Sequence, residues 1–514
     1  MNNENYNNLI LSINELSKVF PGGIIALENV NLDLYSGEVV SILGENGSGK
    51  STLVKILYGV YTPDSGEIKL RINNTMLKVH FSTPLDAMRH GIVLVNQVPQ
   101  LIDRLSIAEN LAITLSTLKI KSSVFSNIEY VSKMLRETAE LLGVKIDPGE
   151  KVYNLTYTQK QFIELIRAIM VDAKIIMLDE ALTYLPPIEK KKWYDLLKTL
   201  KNSGKTIVLI THKIHEALEL SDRIVVLRKG RIVGVVNGNE ATADRVRQLM
   251  FGESFNGNEL IKQNNSNVNQ HLEHEIVIEN LYVSDDHGRE ILRDVNLNVK
   301  KGEIAGVVGV SGSGQRELIE SIVGLRKPVR GKIKVAEVDV IHQGIKALRR
   351  SGVGFITDHP LRYCISSDNS IVENIALSCC PSGLVLNWDL IEKKTREIIE
   401  EYNIQAESVN SPVKTLSGGN LMKVIIGREL ERAKRVFIAY NPTRALDELS
   451  TVRVLNKLKS KARDEKVSVL IASDDADEVL SICDTLYVLS SGRLIGPFNP
   501  RNTPRERIEE LMVT

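Results

Sequence analysis

Residues 44–52 read GENGSGKST, and residues 175–180 read IIMLDE. The first stretch has the spacing G-x-x-x-x-G-K-S, which in a strand-to-helix turn wraps anionic oxygens with backbone N–H groups. Gly44, Gly47 and Gly49 let the chain come close to such an anion, and a following helix adds its positive end. Glu45, Asn46 and Ser48 complete the turn, and Lys50 is placed to pair with the outer phosphates of a nucleotide. Ser51 offers a hydroxyl to Mg2+, and Thr52 continues into the helix. The second stretch ends an apolar run in two carboxylates, which are costly to bury without a cation or water to handle. Asp179 is therefore assigned to the Mg2+ shell and Glu180 to activation of water. His212 follows TIVLI at a similar strand end, placed to bond a terminal phosphate. Each has a plainer reading when taken alone: a tight turn, an acidic helix cap, a structural histidine. Gln97 in VNQVPQ is unremarkable by itself.

The elements that must position these residues are legible as well. VVSIL, TIVLIT and RVFIAY read as buried strands, and STLVKILYG, ENLAITLSTL and NIEYVSKMLRETAELLG read as helices. Such alternation predicts a parallel sheet flanked by helices, with a helical insertion between the phosphate loop and the carboxylate strand. The pattern occurs twice. SGEVVSILGENGSGKSTL (36–53) aligns with KGEIAGVVGVSGSGQREL (301–318), and LTYTQ (155–159) with LSGGN (416–420). IIMLDE aligns with VFIAYN (436–441), and ITHKIHEAL (210–218) with ASDDADEVL (472–480). Four landmarks in one order at a nearly constant offset mean a duplicated domain. Two domains also suit the length of 514 residues, since single cores rarely exceed about 250–300. The expected boundaries are 8–252 and 275–514, joined by a linker at 253–274 that is rich in Asn and Gln.

Charge and composition narrow the partners. Lys+Arg total 65 against 64 for Asp+Glu, so no basic surplus points to nucleic acid, and none is expected as a partner. Cys364, Cys379, Cys380 and Cys483 form no C-x-x-C pair, which argues against a zinc site or a disulfide framework and suits a reducing compartment. No apolar run approaches the roughly 20 residues that cross a bilayer, and MNNENYNNLI lacks the pattern of a signal peptide. The chain is expected to be soluble and to reach a membrane only through partners.

Taken together, these motifs resemble one family closely, the ATP-binding subunits of ABC transporters, over nearly the whole chain and twice. The resemblance implies an α/β fold of two tandem P-loop NTPase domains, each with a mostly parallel core, an antiparallel β subdomain and an inserted helical subdomain. It implies ATP and Mg2+ as cofactors and ATP hydrolysis as the activity. It also implies head-to-tail pairing of the two domains within the chain, each nucleotide lying between one phosphate loop and the other domain's LSGGQ-like signature. By position, Phe20 matches the aromatic that stacks on adenine, and Gln97 the glutamine that senses Mg2+ and the membrane subunit. Glu180 and His212 match the catalytic glutamate and switch histidine. Ser417, Gly418 and Gly419 match the signature, and Asp447 in RALD matches the conserved aspartate of the loop that follows the catalytic strand.

Departures from the family pattern fall on one composite site. In the second half Gln315 and Arg316 replace the lysine and serine, Tyr440 and Asn441 the two carboxylates, Asp474 the histidine and Asp358 the glutamine. In the first half the weak motif is LTYTQ, where Thr156 and Thr158 stand for a serine and a glycine; Pro186 also departs. One site is thus complete and the other is stripped, with hydrolysis expected at the first alone. Chains of this organisation look most like importers of nucleosides and simple sugars, such as ribose or galactose. Two membrane permease subunits and an extracytoplasmic solute-binding protein are implied as partners, with the chain held peripherally at the cytoplasmic face of the membrane. The alternative is a non-transport tandem ATPase acting on ribosomes or nucleic acid.

Overall fold

The computed structural model describes residues 8–118, 128–182, 185, 187–252, 273–286, 288–310, 312–358, 360–379, 386–444 and 446–512. The chain divides into two compact units between Asn256 and Gly257. Almost all of the expected linker, and Pro186, lie outside the described residues.

In the first unit, five parallel strands and one antiparallel edge strand make a six-stranded sheet. Its order is Arg231–Asn237, Arg223–Arg228, Val39–Leu43, Thr206–Thr211, Ile175–Asp179 and Ile92–Val95. The central strands are buried on both faces, and alternate residues serve two different cores, as the two-residue period of a strand dictates. Val40, Ile42, Met177, Val208 and Ile210 face the helix Lys50–Leu57 and a four-stranded antiparallel sheet built around Leu9–Phe20. Val39, Ile176, Leu178, Ile207 and Leu209 face the helices Ile107–Thr117, Ile128–Leu141 and Tyr157–Met170. Each fully buried Leu or Ile contributes about 2 kcal/mol of transfer free energy.

Register decides where the chemistry goes. Leu43 pairs with Thr211, Asp179 with Ile210, and Val95 with Leu178. The residues that follow, Gly44, His212, Glu180 and the Asn96–Gln97 loop, therefore leave the sheet at one carboxyl edge, the usual ligand edge of a parallel sheet.

The second unit repeats the plan. Its six-stranded sheet has the order Val353–Ile356, Val436–Tyr440, Ser468–Ser473, Ile304–Val308, Thr485–Ser490 and Arg493–Phe498. An antiparallel sheet is built around His274–Ser284, and the helices Ile371–Cys379, Trp388–Glu401 and Gly418–Arg432 supply the inserted layer. The mostly parallel core, antiparallel subdomain and helical insertion expected from the sequence are thus present in both units.

Candidate functional site

The phosphate loop of the first unit is shaped by glycine. Gly49 is left-handed (φ 106) and stands just before the helix Lys50–Leu57, and a Cβ there would overlap Ala26 O. A side chain at Gly44 would overlap Leu227 O. No acidic residue lies in the first turn of that helix, so its positive end is not neutralised from within. Lys50 is buried, and its Nζ donates to Gly44 O at 2.7 Å and Glu45 O at 2.9 Å, closing the loop over its own ammonium. Ser48 Oγ is buried with no hydrogen-bond partner, Ser51 is exposed at the helix start, and Asn46 and Gly47 form the exposed tip of the turn.

Asp179 and Glu180 are half-buried at the end of their strand. Burial and the neighbouring Glu180 charge push Asp179 up to about 6, against the pull of Lys50 and Lys55. Burial also works against the Glu180 carboxylate, but the hydrogen bond and charge of His212, with Lys50, hold it below the usual range. Glu180 Oε2 accepts from Gln97 Nε2 at 3.0 Å, and Oε1 lies 3.0 Å from His212 Nδ1. The strand end behind His212 is fixed by buried Glu216, which accepts from Thr211 Oγ1 at 3.0 Å and Lys190 Nζ at 2.8 Å. Phe20 ends its strand half-buried, edge-on to Tyr61 at 5.3 Å.

These residues fit a magnesium nucleotide. A half-buried carboxylate whose ionisation is opposed by its surroundings, as at Asp179, gains from a nearby cation. A lysine resting on loop carbonyls and an orphaned hydroxyl, Ser48 Oγ, suit incoming phosphate oxygens. Ser51 and Asp179 would hold the ion, and its charge would polarise the phosphoryl oxygens.

The second unit keeps the backbone and changes the contents. Gln315 is buried, and its Nε2 donates to Val310 O at 3.2 Å, where Lys50 has two carbonyls. Arg316 pairs with Glu320 at 2.9 Å and lies 3.9 Å from Asp358 and 3.8 Å from Asp286; Arg444 also reaches Asp358, at 3.5 Å. Asp474 accepts from Tyr440 Oη at 3.3 Å and from Asn441 Nδ2 at 3.2 Å, and its own N–H donates to Asn441 Oδ1 at 3.0 Å. Burial raises Asp474 above the ordinary carboxylate range.

The remaining candidates start helices. Ser417 caps Gly418–Arg432, accepting from Asn420 N at 3.3 Å; Ser417 and Gly418 are exposed and Gly419 is buried. Asp447 is buried and caps Glu448–Asp464, accepting from Ser450 N at 2.8 Å. In the first unit, Thr156 and Gln159 form a reciprocal capping box on Tyr157–Met170. Sequence reasoning passed over two buried residues of that helix, Gln161 and Glu164, which bond the Gln97 loop. Their polar character at core-facing positions was the available signal.

A model of the ABC transporter family matches residues 27–183 and 292–444. The chain belongs to that family and carries its cassette twice. Guanosine import ATP-binding protein NupO of Bacillus subtilis (strain 168) is 33% identical over 98% of this chain and 97% of its own length. Ribose import ATP-binding protein RbsA 1 of Rubrobacter xylanophilus is 32% identical over 97% of each. Among solved structures, the archaeal ribosome recycling factor aABCE1, in complex with the ribosomal stalk protein aP1, matches with a TM-score of 0.63. That match covers 94% of this chain and 90% of the other at 19% identity, and it speaks to the fold alone.

Proposed function

We propose that this chain is the ATP-hydrolysing subunit of an ABC importer for a nucleoside or a simple sugar, with one working ATP site. The observation that carries the reading is the bonded set Gln97–Glu180–His212 at the carboxyl edge of the sheet, next to Asp179 and electrostatically coupled to Lys50. The names of the relatives, one importing guanosine and one ribose, support import and set the solute class.

In this reading Lys50 and the backbone of residues 44–52 hold the outer phosphates, and Phe20 stacks on the base. Ser51, Asp179 and Gln97 would hold Mg2+, which would supply charge to neutralise the phosphoryl oxygens. Glu180 orients the attacking water and takes its proton, while His212 steadies the terminal phosphate. By resemblance of their segments to the family's signature and to the loop after the catalytic strand, Ser417, Gly418, Gly419 and Asp447 are proposed as nucleotide contacts. Gln315, Arg316, Tyr440, Asn441 and Asp474, engaged with their own neighbours, support no hydrolysis at the other.

The partners are two integral-membrane permease subunits and an extracytoplasmic solute-binding protein, and the chain sits peripherally at the cytoplasmic face. Among the described residues no helix is long and apolar enough to cross a membrane. Purification of the tagged chain from its host tests the proposal. Recovery of two membrane subunits, and of a binding protein that takes up a nucleoside or sugar, is expected; recovery of ribosomes without membrane subunits overturns it.

A further inference from the structure

The Gln97 side chain reaches Glu180, so whatever fixes its loop also fixes the carboxylate. The loop is held from outside the sheet, by the helix that follows LTYTQ. Gln161 is completely buried on Tyr157–Met170, and its Nε2 donates to two successive carbonyls, Asn96 O at 3.1 Å and Gln97 O at 3.0 Å. One amide spans both because its NH2 carries two donors. Three residues on, on the same helix face, Glu164 is equally buried. Its Oε1 accepts from Gln100 N at 3.0 Å, and Arg167 pairs with its other oxygen. The loop is thus gripped on both sides of its exposed tip, Val98, by two side chains of one helix.

The second unit is an internal control. Met422 and Ile425, both buried, occupy the corresponding positions, and neither side chain can donate or accept as Gln161 and Glu164 do. Thr357, the counterpart of Asn96, has a buried Oγ1 with no hydrogen-bond partner. Among the described residues, the pair Gln161 and Glu164 holds the loop in the unit that carries Glu180, whereas in the unit that carries Asn441 the equivalent helix bonds the preceding strand instead, Glu429 Oε2 accepting from Phe355 N at 3.1 Å.

We propose that Gln161 and Glu164 are positioning residues for hydrolysis. They tie the helix of LTYTQ to the Gln97 loop, so that a shift of the helical subdomain is passed to the bond between Gln97 and Glu180. The proposal rests on Glu180 being the base of the working site. It also gives the eroded LTYTQ segment a task unconnected with phosphate, since its capping box fixes where that helix begins.

The test uses the full chain in complex with the membrane subunits that co-purify with it. Gln161→Met, which installs the second unit's residue, and Gln161→Leu are each expected to lower kcat for ATP about tenfold. KM for ATP should stay within about twofold, because the phosphate contacts are untouched. Glu164→Gln, which keeps an acceptor for Gln100 N, should retain most turnover, whereas Glu164→Leu should not. Unchanged kcat in both Gln161 variants, or a raised KM at unchanged kcat, overturns the proposal. If those variants do not fold, the Glu164 pair decides, and equal turnover in the two overturns it. Glu180→Gln is measured alongside: active Glu180→Gln refutes the reading of the site, whereas inactive Glu180→Gln with normal Gln161→Met refutes only the positioning role.

Discussion

Gly49 in the first unit and Gly314 in the second both take the left-handed conformation (φ 106 and 112), and each stands immediately before a helix of the same length. Added side chains at Gly44 and Gly309 would meet the same obstacle, a carbonyl of the neighbouring strand at Leu227 or Leu489. The two phosphate loops thus share a backbone. What fills them differs. Lys50 brings a positive charge to its loop, while Gln315 brings a neutral amide. The first helix has no acid in its opening turn, but the second has Glu317, which offsets the helix's positive end. Arg316, at the position of Ser51, is drawn towards Glu320, Asp358 and Asp286. Shape and charge are therefore separable: the same glycine geometry holds a lysine in one loop and a neutral amide in the other.

The largest expected break in this comparison is Glu180→Gln. It should lower ATP turnover of the assembled complex by on the order of a thousandfold, since a general base contributes about 10²–10⁴. Residual hydrolysis above a tenth of the parent rate would show that the second unit works too. Next comes a paired measurement of ATP turnover. Lys50→Ala is expected to cost about a hundredfold and Gln315→Ala less than about twofold, because only Lys50 offers charge to phosphate. Similar losses in both would erase the asymmetry. A smaller contrast concerns the signatures. If Ser417, Gly418 and Gly419 contact nucleotide as proposed, Gly419→Thr should reduce turnover about tenfold by adding a β-branched side chain among their backbone N–H groups, while Thr158→Gly changes little.

The smallest effect is one of stability. Asp179 is raised in the folded chain to about 6, so the folded state binds more protons than the unfolded state between roughly pH 4 and 6. Stability from this group falls as pH rises through that window. Asp179→Asn should therefore raise the melting temperature in EDTA at pH 7.5, with the gain shrinking below pH 5. A gain independent of pH would assign the effect to packing instead.

Motifs set by local backbone geometry were readable from the sequence. The glycine spacing, the carboxylates ending IIMLDE and the alternating strands and helices all stand where they were expected. Residues that act through distant partners were not. Gln97 meets Glu180 across 83 positions, a distance closed by the sheet register, and Gln161 meets Asn96 across 65, a distance closed by packing of a helix on the sheet. Asp447 matches the aspartate of the loop after the catalytic strand, and its spacing to Ser450 is also that of a helix cap, which it forms in the fold. Likewise LTYTQ reads as a weak signature because of Thr156 and Thr158, yet its T-x-x-Q spacing is also that of a capping box, which Thr156 and Gln159 form.

The residue after each carboxylate strand carries a consequence of its own. Glu180 and Asn441 both have positive φ, 50 and 45. An L-residue in that region costs roughly 1–2 kcal/mol, and asparagine tolerates it better than most. The second unit therefore carries a side chain suited to the turn, whereas the first keeps glutamate in a conformation that glutamate disfavours. Glu180→Asn should melt higher than the parent while hydrolysing nothing, a case in which the sturdier molecule is the one that no longer works.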